Sequence, residues 1–196
     1  ILHQNFVMPF TLAPGDNEMV MRISSTGTIE GQLFIWTPDS FSASSGNDHL
    51  LQGIWMGIVG IMVIYNLFLY FFIRDKSYLY YVGFAFSYLM FQICLEGYGF
   101  AYLWPDQLDW NSYAISTFVA LCNLTTALFV LSFLRLKKYN RFGYLLMSTI
   151  LVISAILTLL TFIAPYSFTL RVGSSMAIIT GILSVLFGYY AWYKGD

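Results

Sequence analysis

Charge is what this chain has least of. Lys, Arg, Asp and Glu make up 10% of the 196 residues, against roughly a quarter in an ordinary soluble domain. Hydrophobic residues reach 58% and the mean hydropathy is +0.69, which excludes a water-soluble globule and indicates a membrane chain. A net charge of −1 supplies no case for binding nucleic acid. Histidine is as scarce. His3 and His49 both fall outside the long apolar runs, which removes His-ligated haem, Ser–His dyads and His-based zinc chemistry from those runs. Cys94 and Cys122 have neither metal-ligand nor redox spacing and read as small core residues. The runs also lack proline and charge, whereas a transporter or channel more typically breaks its helices at mid-membrane or lines a path with buried charges. No catalytic constellation, metal site or cofactor site is expected in these residues.

What the chain does have is length of apolar sequence. A spanning helix needs about 20 apolar residues, each adding about 1.5 Å across a hydrocarbon core about 30 Å thick. Five runs qualify, at about 50–73, 78–97 (uncharged as far as Leu95, and extending past Glu96 to Gly97), 113–134, 142–163 and 172–193. They are twice as long as a membrane β-strand and show no in–out alternation, so the expected class is mainly α, a polytopic transmembrane bundle over 46–196. The stretch "YNLFLYFFIRDKSYLYY" places residues 74–77 at a hairpin tip between the first two helices. There Asp75 or Ser77 is suited to accept from the free backbone donors that begin the second helix.

Cations are distributed unevenly over the loops. Arg74, Lys76, Arg135, Lys137, Lys138, Arg141 and Lys194 fall on one side of such a bundle, and only Arg22 and Arg171 on the other. The positive-inside rule then places the amino-terminal part outside and the carboxy-terminal end in the cytoplasm. Residues 1–45 differ in kind, alternating apolar and polar residues in short stretches broken by Pro-Gly and Gly turns. They read as the last two or three antiparallel strands of a larger extracellular β-sandwich. Residues 39–49, "DSFSASSGNDH", read as a polar linker.

"LFIWTPDSF" before the first helix, "IYNLFLYFFIRDKSYLYYVGFAFSYLMFQ" across the first two, "YLWPD" after the second and "FLRLKKY" closing the third carry a resemblance. Together they resemble the bacterial seven-transmembrane receptors with diverse intracellular signalling modules. That resemblance implies an inner-membrane receptor in which a periplasmic β-sandwich binds a carbohydrate-like or other small ligand. Seven helices, five of them represented here, would pass the signal to a cytoplasmic output module such as a histidine kinase of a two-component system or a diguanylate cyclase. The other classes to weigh are a membrane anchor that assembles output modules and, behind it, a transporter or channel subunit.

Polar groups in lipid are costly enough to question one by one. Asn66, Gln92 and Asn123 are expected to form static hydrogen bonds between helices, with a bond that changes partner during signalling as the functional alternative. Glu96 is expected at the outer boundary, because an ionised carboxylate at mid-bilayer would cost about 3 kcal/mol; a ligand- or proton-sensing role is its functional reading. Gly53 and Gly57, followed by Gly60, form a G-x-x-x-G line, and Gly173, Ala177, Gly181, Ser184 and Gly188 another. Tight packing inside one bundle is the plainer expectation for both lines, a sliding or homodimer contact the alternative.

Overall fold

The structure is a computed structural model that describes residues 7–11, 14–16, 18–22 and 34–193. Its elements are α1 (Pro38–Ile73), α2 (Lys76–Leu95), a π-helical turn (Gly99–Leu103), α3 (Leu108–Phe133), the single turn α4 (Leu136–Tyr139), α5 (Arg141–Leu160) and α6 (Tyr166–Tyr193). Among the described residues five segments are long and apolar enough to span a bilayer: His49–Ile73, Lys76–Leu95, Leu108–Phe133, Arg141–Leu160 and Tyr166–Tyr193. They coincide with the five apolar runs. The short segments before residue 38 contain no strand among the described residues, and residues 23–33, where much of the expected strand pattern falls, lie outside them.

Residues 39–49 are helical, which corrects the expectation of a linker. Thr37 takes the N-cap position with its hydroxyl 2.8 Å from that of Ser40, Pro38 supplies the pre-set first turn, and Asp39 sits in that turn. Once the apolar stretch beyond residue 50 has nucleated a helix, extending it through serines costs little per residue.

At the other end of α1 the chain turns within two residues. Arg74 caps α1 in the left-handed region, φ 57°, with its N–H on the Tyr70 carbonyl at 2.8 Å. Arg135, also left-handed at φ 46°, follows the α3 C-cap Leu134 and stands at the N-cap of α4, with its N–H on the Ser132 carbonyl at 3.3 Å. A residue with a Cβ is held there at a cost of about 1 kcal/mol or more, offset by immediate reversal of the chain. Asp75 then caps α2, accepting the Ser77 N–H at 2.8 Å, and the Ser77 hydroxyl lies 3.0 Å from that of Ser132 near the end of α3. These residues, with Lys137, Lys138 and Arg141, form the basic end of the bundle.

α3 is the hub. Among the described helices it packs against α2, α5 and α6, whereas α1 packs against α2 alone. Buried Ala114, Ala120 and Ala127 let neighbouring helices approach α3 closely, and Val130, Leu136, Met147, Ile150 and Phe187 close the core toward the basic end. Among the described side chains α1 buries none.

Candidate functional site

Polar side chains from two helices gather at the end of the bundle opposite the basic loops. α2 stops at Leu95, with Glu96 as its C-cap and Gly97 in the left-handed conformation, φ 80°. That position suits glycine, which carries no Cβ to clash there. The turn fixes Glu96 beside α1, where it accepts from Gln52 Nε2 at 2.9 Å through its Oε2. One residue further on, Tyr98 places its hydroxyl 2.7 Å from His49 Nδ1. Below the turn Gly99 is buried under Trp104, so close that a Cβ would meet the indole at 2.8 Å, and Trp104 Nε1 donates to Asn111 Oδ1 at 3.3 Å. The backbone that presents Glu96 is thereby held from behind.

Between α1 and α2 at this level lies an open cleft of about 270 Å³ lined by Leu51, Gln52, Trp55, Met56, Gln92 and Glu96. Trp55 is held edge-on against Tyr88 of α2, with ring centres 5.8 Å apart. Gln52 is half-buried; its carbonyl oxygen is sealed from solvent and accepts no hydrogen bond. A buried acceptor without a donor costs about 1–3 kcal/mol. The cleft therefore carries an unmet demand for a donor. Among the described residues no three of His, Cys, Asp and Glu gather where they could hold a metal ion.

The second polar contact lies deep between α3 and α6. Asn123, 2% exposed, donates to the Val119 carbonyl of its own helix and to the Gly173 carbonyl of α6, each at 3.0 Å. Gly173 permits that approach: a Cβ there would stand 3.0 Å from Val119 Cγ1.

Compared with known protein families, residues 48–196 match the model described as 7TM diverse intracellular signalling. The chain belongs to that family. No curated protein and no solved structure matches it. This is accordingly part of a multi-pass transmembrane signalling receptor.

In this 7TM signalling chain the residues singled out from the sequence separate into three groups. Gln92 and Glu96 come together in the cleft, where among the described residues Gln92 makes no interhelical hydrogen bond of the kind expected of it, and Asn123 makes the interhelical bond expected of it. Asn66 does not: its amide donates to Met62 O at 2.8 Å within α1. The i−4 carbonyl is the nearest acceptor on a helix with a single neighbour, and a side chain turned back on its own backbone is satisfied without a partner helix. The glycine lines also depart from expectation. A Cβ at Gly53, Gly57, Gly60, Gly181 or Gly188 would meet nothing within 4 Å, and only Gly173 marks a close approach. The α1 line, and Gly181 and Gly188 of the α6 line, leave space where a Cβ would meet no other described helix. His49, Gln52, Trp55 and Tyr98 were missed as site residues. Their signal was position, since they sit at roughly equal distances in sequence from the hairpin tip at residues 74 and 75 and so face one another once the hairpin closes.

Proposed function

We propose that this stretch is the membrane relay of a bacterial inner-membrane receptor. It would pass a ligand signal from a periplasmic β domain to a cytoplasmic output module such as a histidine kinase or a diguanylate cyclase. To that β domain belong the residues ahead of α1, its expected bound at 45 drawn back because the helix begins at Pro38. The relay residues themselves carry out no catalysis. The family match supports the signalling role; the packing order supports the route. α1 follows the amino-terminal segment, packs against α2 and no other of the described helices, and α2 leans on the hub α3. Movement of α1 then reaches the rest of the bundle through the α1–α2 contact, where Gln52 meets Glu96. Such a movement transmits only to the extent that the ligand binds one arrangement more tightly than the other.

The orientation follows from the cations at the basic end, which resist transfer across the bilayer. An impermeant thiol reagent applied to intact cells should label Asp106→Cys and spare Lys138→Cys; the reverse pattern overturns the orientation. Cross-linking Gln52→Cys to Glu96→Cys should hold receptor output at one level whatever the stimulus. Output that still responds would favour the second reading, an assembly module, for which the open glycine faces of α1 and α6 speak.

A further inference from the structure

We propose that the cleft between α1 and α2 is a binding site for an ammonium group, presented by a soluble primary amine or by the ethanolamine headgroup of a lipid. Four independent features give the cleft one sign. Glu96 supplies a carboxylate that, among the described residues, is hydrogen-bonded to Gln52 and to no basic side chain. It sits at the carboxy-terminal end of α2, where the last backbone carbonyls and the helix dipole already favour a cation and disfavour an anion. Gln52 has its amide group turned to Glu96, and its carbonyl oxygen, sealed in the unliganded cleft and without a donor, gains one where a ligand's entry turns the side chain toward it. Trp55 contributes an indole to the wall, the ring type that holds cations best.

An ammonium answers each of these at once. It has three donors and no acceptor, so it can serve the Gln52 carbonyl and the Glu96 carboxylate together while its charge lies against the ring. A carboxylate ligand would face Glu96 and the negative helix end. A neutral polyol would satisfy Gln52 but leave the electrostatic bias unused. The cleft volume of about 270 Å³ is several times the roughly 30 Å³ of a water molecule, room for a small amine and its first carbons over Met56 and Leu51. Its height matches a lipid headgroup as well, because the first spanning segment begins at His49 and the second ends at Leu95. Binding is independent of the signalling proposal, since it needs only the α1–α2 hairpin to be folded.

The test uses the chain in nanodiscs of phosphatidylglycerol, doped either with phosphatidylethanolamine or with its N-acetylated form, which keeps the phosphate and loses the cation. Lipid retained by the released protein is counted by native mass spectrometry. In parallel, undoped discs are titrated with ethanolamine and with ethylene glycol while indole fluorescence is followed. The expected result is about tenfold selectivity for the ammonium form in at least one arm, removed by Glu96→Gln. Trp55→Phe should weaken binding about threefold with the helical circular dichroism unchanged, and so serves if Glu96→Gln fails to fold. Asp109→Asn, an exposed acid at the start of α3, should change nothing. Selectivity in the lipid arm alone assigns the headgroup as the source; selectivity for ethanolamine over ethylene glycol assigns a soluble amine. Equal retention of both lipids with equal response to both solutes overturns the proposal, as does selectivity that survives both Glu96→Gln and Trp55→Phe.

Discussion

Asn123 and Gln52 are the same kind of group in the same kind of place, an amide reaching from one membrane helix to the next, and the bundle treats them in opposite ways. Asn123 is sealed between α3 and α6, spends its amide on two carbonyls, and faces a glycine that brings the helices into contact. Gln52 stands at the mouth of α1 and α2, with one end bonded to Glu96 and the other without a partner. The first arrangement has its amide N–H donors spent and is closed to a ligand, and distorting it would strand polar groups in hydrocarbon. The second has an unmet acceptor and an open wall. A sealed contact at the hub and an unmet one at the outlying hairpin are what the proposed relay, which must move without falling apart, would require.

The contrast is tested most severely at Gly173. Replacing it with Leu drives a branched side chain into Val119, which already stands 3.0 Å from where a Cβ would lie, and Leu157 closes the other side. The expected loss is about 3 kcal/mol or more, measured by unfolding in mixed micelles of rising dodecyl sulfate. Asn123→Ala should cost about 1.5 kcal/mol, the upper range for a hydrogen bond between membrane helices, because the bond is wholly buried. Gln52→Ala should cost under about 0.5 kcal/mol, since the bond it loses is offset by removal of an unsatisfied carbonyl. Equal losses at Asn123 and Gln52 would erase the distinction between sealed hub and open hairpin.

At the basic end the effect is intermediate and depends on pH. Asp75 is held below the ordinary carboxylate range, chiefly by the backbone N–H of Ser77, then by the Ser77 hydroxyl, with slight desolvation opposing and Arg135 adding a weaker pull. Because the folded form favours the ionised carboxylate, its contribution is complete above the usual carboxylate pKa of about 4 and is lost as the pH falls through the lowered value. Asp75→Ala should therefore cost about 1 kcal/mol near neutrality, as loss of an N-cap does. The gap from the parent protein should close in acid, and a gap unchanged at pH 3 would show that the cap does not act through its charge.

How much of this was legible beforehand depends on the range of the interaction concerned. Bilayer thickness sets helix length directly, so the five spans could be read from composition alone. The α2 cap is local and was legible as a choice between Asp75 and Ser77, of which Asp75 accepts from the Ser77 N–H. The linker at 39–49 was misread because its serines suggest a loop, while the Thr37–Pro38 start and the apolar helix beyond it make extension cheap. Asn123 announced itself as a polar group in lipid, but its partner depends on which helices pack together, and that information lies outside any local pattern. Gln52 was harder still: one amide near a run's end looks ordinary until the hairpin brings it to Glu96.

The smallest predicted effect belongs to the glycines that carried the most weight in the sequence. Gly57 and Gly181 sit in open space, so an added methyl meets no other helix. The remaining consequence is intrinsic, with alanine favoured over glycine in a helix by up to about 1 kcal/mol in water and by less where lipid already enforces helicity. Gly57→Ala and Gly181→Ala should therefore leave stability within about 0.5 kcal/mol of the parent or raise it slightly. A loss above 1 kcal/mol at either position would mean that another helix packs against that face in the membrane. It would also place α1 or α6 among the sealed contacts of the hub instead of the open surfaces that set the hairpin apart.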